Sequence, residues 1–305
     1  MNKSVTQHTE INIGNGVCAY VAGGLGNQLF ILAAAWEQAK RLECPLYLDT
    51  SNHDVRGGWR FELEDIGAPG VVLGPHSPWT SVRLSKERVL PFPRFTRPVR
   101  RRVFFERDSS RYDPAINDIR PGTTIFGYFQ SARYFERSAD SMHQLIESAP
   151  TSPAEADLLA HYAATPRLTL HLRRGDYLNA PESRRVIATT AYARRAYRLL
   201  QQMGAAAPLR LFSDSPNLVQ EELGDLDLDI EFADPEGVLS PVNTMRAMSY
   251  GSGLVMSNSS FSWWAGWLMR RRDSNLPVIA PRPWNETGTA KADLLFPEWI
   301  GLDAR

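Results

Sequence analysis

Short apolar runs that end in glycine or polar residues alternate with helical patterns along most of this chain, and this alternation limits the fold most strongly. Residues 17–22 form such a run before Gly23, and apolar residues then recur at helical spacing over 29–42. Residues 46–48 resume as a strand. A strand, a glycine turn, a helix and a second strand in this order predict a βαβ unit within a largely parallel sheet.

The rest of the chain repeats this order. Strands are predicted at 125–130, 168–172, 209–212, 253–256 and 277–280, and helices at 190–203, 242–250 and 262–271. The stretch 75–121 is rich in proline and arginine, which predicts irregular structure along the surface. With a boundary at 150–153, the 305 residues predict two α/β domains, 1–150 and 151–305.

Composition excludes several classes of protein. Lys plus Arg and Asp plus Glu both number 34, so no net field attracts nucleic acid or anionic lipid to the whole chain. Only two cysteines occur, Cys18 and Cys44, which predicts free thiols in a reducing compartment. No secretion signal and no apolar run of membrane-spanning length occurs in the sequence. The sequence therefore predicts a cytoplasmic protein.

The end of the strand 168–172 concentrates positive charge. Leucines occupy alternate positions of this strand, so His171 and Arg173 share its other face, and Arg174 follows directly. Guanidinium groups bind phosphate oxygens in a bidentate manner and keep their charge at any working pH. This strand end therefore predicts a diphosphate site, with a solvated arginine pair as the alternative. Asp176 is either a general base or a salt-bridge partner of Arg174.

A glycine-rich turn lies between the first strand and the first helix. Gly24 and Gly26 let a ligand approach the backbone, Asn27 is a natural helix N-cap, and Gln28 follows. Free N–H groups at a helix start can bind an anion. The spacing matches neither the dinucleotide fingerprint nor a P-loop. A purely structural tight turn is the alternative.

A serine-rich segment follows the strand 253–256. Hydroxyl and N–H groups at the carboxyl end of a parallel strand are typical of phosphate sites in open α/β sheets. The segment consists of Ser257, Asn258, Ser259, Ser260, Phe261 and Ser262. Trp263 and Trp264 come next, and we expect one of them to pack in the core and the other to face a ligand.

Ser213 and Asp214 end a third strand, 209–212. Asp214 either accepts hydrogen bonds from a ribose or guanine, or caps the helix that follows. The six histidines show no metal-like spacing, and Asp-x-Asp occurs only within 225–229, in an acidic loop-like stretch. The sequence therefore predicts no metal site.

Three segments in this order resemble the α-1,2-fucosyltransferases of glycosyltransferase family 11. They are Gly-Gly-Leu-Gly-Asn-Gln-Leu-Phe at 23–30, His-Leu-Arg-Arg-Gly-Asp-Tyr at 171–177 and Ser-Asn-Ser-Ser-Phe-Ser-Trp-Trp-Ala-Gly-Trp-Leu at 257–268. Lesser landmarks lie at 48–51, 127–131 and 212–214, and the resemblance extends over 18–285. It implies a GT-B-like α/β architecture, in which two Rossmann-like domains with largely parallel sheets face each other across a cleft.

The resemblance also implies an activity, the inverting transfer of L-fucose from GDP-β-L-fucose to the 2-hydroxyl of a terminal β-galactoside. No cofactor and no metal is expected, and no nucleic acid partner. A lipid-linked acceptor would bring the chain to the periphery of the inner membrane. The alternatives are a transferase for another GDP-sugar or another acceptor, and a non-catalytic glycan-binding protein that stacks sugars on Trp and Tyr.

The resemblance assigns roles to the motif residues. The catalytic residues would be Arg173, Asp176 and His171. The donor would contact Gly24, Gly26, Asn27, Gln28, Arg174, Ser213, Asp214, Ser257, Asn258, Ser259, Ser260, Phe261 and Ser262. The acceptor would contact Tyr128, Gln130, Tyr177 and Trp263. Asn243-Thr244 stands where the family often has an acidic residue, and Ser215 stands where it often has a second Asp. Both differences concern the recognition of guanine.

Overall fold

The chain divides into two compact units, Met1–Met142 and His143–Arg305. The computed structural model describes residues 13–53, 59–74, 79–85, 88–93, 102–109, 111–174, 189–204, 208–223, 230–284 and 293–304. The division falls inside the helix Ala139–Glu147, so it precedes the boundary predicted at 150–153. Among the helices in these ranges, none is both long and apolar enough to cross a bilayer.

The first unit contains a five-stranded sheet in the order β3-β2-β1-β7-β6, in which every pairing is parallel. Its strands are β1 (Val17–Tyr20), β2 (Leu46–Asp49), β3 (Val71–Val72), β6 (Arg102–Phe105) and β7 (Thr123–Phe126). Strands β4 (Trp79–Ser85) and β5 (Arg88–Pro93) form a separate antiparallel hairpin. The helix α1 (Leu25–Arg41) connects β1 to β2, and α2 (Ala139–Glu147) follows β7. Short 3₁₀ helices occupy Ile13–Asn15, Pro114–Asp118, Ala132–Tyr134 and Glu136–Ser138.

Two local predictions for this unit are wrong. The stretch 75–121, expected to be irregular, contains the hairpin and the edge strand β6. Strand β6 is mostly exposed, so its sequence lacks the apolar alternation that marks a half-buried strand. Helix α1 begins at Leu25 with Gly24 as its N-cap, so Asn27 lies inside the first turn and does not cap the helix.

The second unit contains a six-stranded sheet in the order β10-β9-β8-β11-β12-β13, again with parallel pairings throughout. Its strands are β8 (Leu168–His171), β9 (Leu209–Phe212), β10 (Ile230–Phe232), β11 (Gly253–Val255), β12 (Val278–Arg282) and β13 (Ile300–Asp303). Its helices are α3 (Pro153–Ala164), α4 (Thr190–Gln202), α5 (Pro216–Leu223), α6 (Pro241–Met248) and α7 (Ser260–Arg272). The predicted α/β class with two parallel sheets is confirmed.

Strand β8 forms the centre of the second unit's core. Its leucines and Leu172 are buried against α4 and β9, as the period-two pattern predicted. The opposite face is buried as well, since Thr169 Oγ1 donates a hydrogen bond to the Met248 carbonyl at 3.1 Å. Parallel sheets are usually covered on both faces, and β8 follows that rule.

Glu155 joins the starts of two helices. Helix α3 opens with a capping box, in which the Glu155 carboxylate accepts a hydrogen bond from Ser152 N at 2.8 Å. The same carboxylate accepts hydrogen bonds from Ser240 N and Asn243 Nδ2 at the start of α6, both at 2.8 Å. Burial alone would raise the pKa of Glu155, but these hydrogen bonds outweigh it and lower the pKa to about 2.

This contact predicts a pH-dependent contribution to stability. A carboxyl with a lowered folded pKa stabilises the fold above its unfolded pKa of 4.5 and loses that contribution as pH falls towards 2. Glu155→Gln should therefore reduce the free energy of unfolding by about 3 kcal/mol at pH 7, with a shrinking difference at pH 4 and below. Urea denaturation across this pH range measures it, with exposed Asp157→Asn on the same helix as control. A pH-independent difference would contradict the assignment.

Candidate functional site

The candidate site of the second unit lies at the carboxyl end of β8. From β8 the strand order runs to β9 on one side and to β11 on the other, as in dinucleotide-binding sheets. The connections after β8 and β11 therefore diverge, and such a switch point is where open α/β sheets bind ligands. The sequence motifs at 171–174, 213–214 and 257–262 all follow these three neighbouring strands.

The two arginines of the first motif have different surroundings. The side chain of Arg174 is buried, and its Nε and Nη2 both donate to Glu222 Oε2 at 3.0 Å. Arg174 therefore anchors α5 to the end of β8, while its contact with the donor stays a prediction. Within the described residues its salt-bridge partner is Glu222. Asp176 and Tyr177 lie outside the described residues.

Arg173 is partly exposed and lies beside Asp214. The Arg173 Nε is 3.7 Å from Asp214 Oδ2, while Asp214 Oδ1 accepts a hydrogen bond from Arg174 N at 2.8 Å. The Asp214 carboxylate, which follows β9, thus contacts both the Arg174 backbone and the Arg173 guanidinium at the end of β8. Ser213 Oγ accepts a hydrogen bond from Ser215 N at 3.0 Å and so orders the turn before α5. Asp214 is turned towards β8, and its side chain braces Arg173.

His171 is buried between two serines. Its Nδ1 shares hydrogen bonds with Ser257 Oγ at 3.0 Å and with Ser262 Oγ, and the two hydroxyls are 3.2 Å apart. Burial, followed by the positive charge of Arg173, lowers the pKa of His171 to about 4, and Asp214 opposes this effect. His171 is therefore neutral at pH 7, and the hydroxyls of Ser257 and Ser262 are directed at its ring.

The rest of the serine-rich segment forms the start of α7. Ser259 is the buried N-cap, and its Oγ accepts a hydrogen bond from Phe261 N at 3.3 Å. Asn258 is buried beside it, whereas Ser260 and Phe261 are partly exposed. The positive end of a 13-residue helix is thus presented at the same strand edge as Arg173. That combination suits an anionic group.

Both adjacent tryptophans are core residues. Trp263 and Trp264 are fully buried, and Trp263 Nε1 donates to the Leu294 carbonyl at 2.6 Å. The Trp263 ring packs against Phe296 and Trp299. The segment 293–299 covers Trp263, so the structure gives it a packing role, and its contact with the acceptor stays a prediction.

Asn243 is a buried structural residue and does not line the surface of the candidate site. It is buried in α6, where its Nδ2 donates to Glu155 and to the Pro150 carbonyl at 3.0 Å. Its Oδ1 accepts a hydrogen bond from Arg246 at 2.7 Å. These contacts make Asn243 a fixed structural amide that joins α6 to the start of α3.

In the first unit the strand order reverses between β1 and β7, and the glycine-rich turn lies at that point. Gly23 has φ +76°, a conformation that favours glycine. Asn27 Oδ1 accepts a hydrogen bond from Gln130 Nε2 at 2.8 Å, which joins the turns after β1 and β7. The sequence predicted that Asn27 contacts the donor and that Gln130 contacts the acceptor. In the structure the two side chains are hydrogen-bonded to each other.

Gln28 is fully buried and holds a neighbouring segment to this turn. Its Nε2 donates to the carbonyls of Gly23 and Arg60 at 2.8 and 2.7 Å, and its Oε1 accepts from Glu62 N at 2.9 Å. Both amide hydrogens are thus used within the protein. In the structure the Gln28 side chain attaches 59–62 to the start of α1, and its contact with the donor stays a prediction.

Tyr128 lies on a loop held by one carboxylate. Glu106 Oε2 accepts hydrogen bonds from Tyr128 N at 2.9 Å and Phe129 N at 3.1 Å, and the Tyr134 hydroxyl donates to Glu106 Oε1 at 3.2 Å. Phe129 has φ +51°, and the backbone contacts to Glu106 hold this conformation in place. The Tyr128 side chain is 42 % exposed, so it is available to a ligand.

Sequence reasoning missed Glu222 and Glu106. Both act through long-range contacts for which the sequence carries no local signal. The Asp-x-Asp stretch 225–229 lies outside the described residues. Within the part of the chain that is described, no group of three metal-ligating side chains comes together.

A parallel sheet with a guanidinium, hydroxyls and a helix start at its switch point is typical of enzymes that bind phosphorylated ligands. Residues 123–303, more than half of the chain, match the family model described as Glycosyl transferase family 11. The chain belongs to this family, and it is therefore a glycosyltransferase.

Two relatives come from Escherichia coli. One is an α-1,2-colitosyltransferase, 28% identical over 305 residues that cover 94% of this chain and 99% of the relative. The other is the O-antigen biosynthesis glycosyltransferase WbnK, 24% identical over 315 residues that cover 92% and 99%. Both alignments span nearly whole proteins, so the likeness is not confined to the motifs.

Two solved structures are also similar. The fucosyltransferase NodZ from Bradyrhizobium has a TM-score of 0.47 and 14% identity, over 82% of this chain and 92% of that one. POFUT1 in complex with GDP has a TM-score of 0.43 and 12% identity, over 88% and 99%. Structural similarity of this degree does not indicate a function, so the function is inferred from the family and the candidate site.

The Arg174–Glu222 pair predicts a loss of stability when it is broken. Removing one partner leaves the other charge without compensation, so Arg174→Met should reduce the free energy of unfolding by about 3 kcal/mol. Glu222→Gln should lower it as well, and the double variant should lose less than the sum. Urea denaturation measures this cycle, with exposed Arg198→Met on α4 as the matched control. Additive losses would show that the two side chains are not coupled.

The burial of His171 predicts its titration. Between pH 6.5 and about 4 the unfolded chain binds a proton that the folded His171 does not, so stability decreases as pH falls through this range. The ring resonances of His171, assigned by their absence in His171→Gln, should titrate near pH 4 in NMR spectra. A midpoint near 6.5 would mean that the ring is solvated.

Proposed function

We propose that this glycosyltransferase transfers L-fucose from GDP-β-L-fucose to the 2-hydroxyl of a terminal β-galactoside, with inversion, during synthesis of an O-antigen-type oligosaccharide. The observation that carries the proposal is the partly exposed Arg173, held by Asp214 beside the start of α7. Membership of family 11 supports a sugar transfer. The names of the two relatives support an α-1,2 linkage and O-antigen biosynthesis.

The proposed reaction is a single displacement. The acceptor oxygen forms a bond to the anomeric carbon while the bond from that carbon to the β-phosphate oxygen breaks, and GDP leaves with the electron pair. The negative charge that develops on GDP meets the Arg173 guanidinium and the positive end of α7, which are oriented before the reaction. These groups supply the stabilisation that a metal would otherwise give, so we propose a metal-independent transfer.

His171 and the remaining hydroxyls have supporting roles in this scheme. A neutral imidazole adds no charge to the departing diphosphate, so we assign His171, fixed by Ser257 and Ser262, to shaping the floor of the site. We propose that Ser260 and Phe261, which are partly exposed, touch the donor. The acceptor proton must pass to a base, and we propose Asp176 for that role.

A colitose donor is the second candidate function. It is favoured by one observation, the 28% identity with a relative named as an α-1,2-colitosyltransferase. Colitose is the 3-deoxy analogue of fucose, so the two donors differ by one hydroxyl. A site that hydrogen-bonds this hydroxyl discriminates strongly against the deoxy sugar, whereas an apolar site does so weakly.

The experiment that tests the function measures GDP release from GDP-fucose and from GDP-colitose with lactose, lacto-N-biose and N-acetyllactosamine as acceptors. Fucose transfer with an NMR-defined α-1,2 linkage, unchanged by EDTA, supports the proposal. Preference for GDP-colitose favours the second candidate. Glycan binding without GDP release from any donor would show a non-catalytic glycan-binding protein.

Arg173 variants test the proposed role of its guanidinium. Arg173→Ala should lower kcat by about 10²–10³-fold, the usual effect of losing one donor to a developing anion. Arg173→Lys keeps the charge but not the planar fork, so it should also be impaired. Steady-state kinetics measure both, and urea denaturation verifies the fold. Near-normal turnover of a folded Arg173→Ala enzyme would refute the role, and exposed Arg198→Ala serves as control.

A further inference from the structure

Three aromatic side chains form a row at the carboxyl edge of the first unit's sheet. Tyr20, Phe126 and Phe105 are the last residues of β1, β7 and β6, which are adjacent strands. The ring centroids of Tyr20 and Phe126 are 5.1 Å apart. Those of Phe126 and Phe105 are 4.8 Å apart, with the ring planes inclined by 18°. The row therefore runs from the middle of the sheet to its outermost strand.

The outer ring of this row is open. Tyr20 and Phe126 are buried, whereas Phe105 is 56 % exposed. Phe126 covers one face of the Phe105 ring, and within the described part of the chain no strand pairs with the outer side of β6. Parallel sheets bind ligands outside the carboxyl ends of their strands, which is where this ring lies. An accessible apolar ring at that edge is a feature of a binding surface.

A second exposed ring is attached to the same strand end. Tyr128 is 42 % exposed, and its N–H donates to the carboxylate of Glu106, the residue after Phe105. Phe129 N donates to the same oxygen. Gly127 permits this close approach, because a Cβ on it would be 2.5 Å from the Glu106 Cβ. Both rings are thus presented on ordered backbone, so little conformational entropy is lost when a ligand binds them.

The charges that follow Phe105 are compensated within the protein. Arg107 donates from Nε and Nη2 to the two carboxylate oxygens of Asp113 at 2.7 and 2.5 Å. This pairing lowers the pKa of Asp113, so the carboxylate stays ionised and the guanidinium stays paired at neutral pH. The Glu106 carboxylate accepts hydrogen bonds from two backbone N–H groups and from the Tyr134 hydroxyl. An anionic ligand would have to compete with Asp113 for the Arg107 cation, whereas an uncharged ligand would not.

A sugar ring has the chemistry that this surface offers. A pyranose carries C–H groups on its faces, which pack on a flat aromatic ring, and hydroxyls on its rim, which can bond to a phenol such as that of Tyr128. The family makes this chain a glycosyltransferase, so a sugar acceptor is one of its substrates. An uncharged acceptor sugar therefore suits these rings better than a diphosphate or an anionic lipid headgroup.

We propose that Phe105 and Tyr128 form a subsite for an uncharged sugar ring of the acceptor, with Phe105 as the stacking platform. This inference rests on the proposed function, because it assumes an oligosaccharide acceptor that ends in a galactoside. It adds Phe105 to the predicted acceptor contact of Tyr128, and Phe105 lies in the stretch 75–121, to which the sequence assigned no ligand. The predicted donor contacts of the glycine-rich turn are left unchanged.

Kinetics on the full-length protein with lacto-N-tetraose as acceptor test the platform. Phe105→Ala should raise the KM for this acceptor about tenfold, while the KM for GDP-fucose stays unchanged. Phe105→Trp, which keeps a flat ring, should retain the affinity, and Phe105→Leu, which keeps only apolar surface, should lose most of it. Met203→Ala is the matched control, since Met203 is 53 % exposed at the end of α4 in the second unit. An unchanged acceptor KM in Phe105→Ala, or an equal loss in Met203→Ala, would overturn the proposal.

Tyr128 variants test whether the second ring belongs to the same subsite. Tyr128→Ala should raise the acceptor KM several-fold and leave the KM for GDP-fucose unchanged. Circular dichroism and thermal unfolding verify that the variant is folded. An unchanged acceptor KM, or a rise confined to the KM for GDP-fucose, would contradict a subsite formed by both rings.

A binding experiment separates this proposal from the proposed reaction. Saturation-transfer NMR detects the C–H protons of a sugar that contact a protein, whether or not transfer occurs. Lacto-N-tetraose should receive saturation from the full-length protein and from Phe105→Trp, and much less from Phe105→Ala. Binding that depends on Phe105 without turnover would contradict only the proposed reaction.

Two outcomes of the binding experiments would overturn the subsite. One is the absence of lacto-N-tetraose binding, or binding that Phe105→Ala leaves unchanged. The other is sedimentation of the protein with phosphatidylglycerol vesicles that Phe105→Ala abolishes, because that result would assign the exposed ring to a membrane surface.

Discussion

The pairing of β8 with β9 on one side and β11 on the other is the constraint on which the candidate donor site depends. It brings three strand ends to one edge, so that Asp214 reaches both the backbone and a side chain of the β8 turn. Two adjacent arginines then acquire different functions. Glu222 fixes Arg174 within the fold, and Arg173 remains accessible. A single strand order thus determines which guanidinium is available to a ligand.

The sequence predicted elements whose pattern is local. The alternate leucines around His171 identified β8, and the serine segment before paired tryptophans identified the start of α7. It did not predict which polar groups face outwards. Arg173 and Arg174 look alike in sequence, and the residue that separates their roles, Glu222, is 48 positions away. Likewise Trp263 is covered by a segment from the end of the chain, which no local pattern reveals.

The same limit applies to the first unit. The glycine-rich turn was visible as a motif, but its surroundings were not, because Gln28 recruits 59–62 from outside any recognisable pattern. The motif alone did not show that the Gln28 side chain is used entirely for contacts within the protein. Motifs therefore located both sheet edges correctly, whereas the chemistry at each edge depended on partners distant in sequence.

The attachment of 59–62 through main-chain atoms has an evolutionary consequence. Gln28 grips the carbonyl of Arg60 and the N–H of Glu62, groups that every amino acid except proline possesses. The side chain at position 59 can consequently be exchanged without disturbing the anchor. Substitutions can therefore accumulate at position 59 while the architecture of the turn is retained.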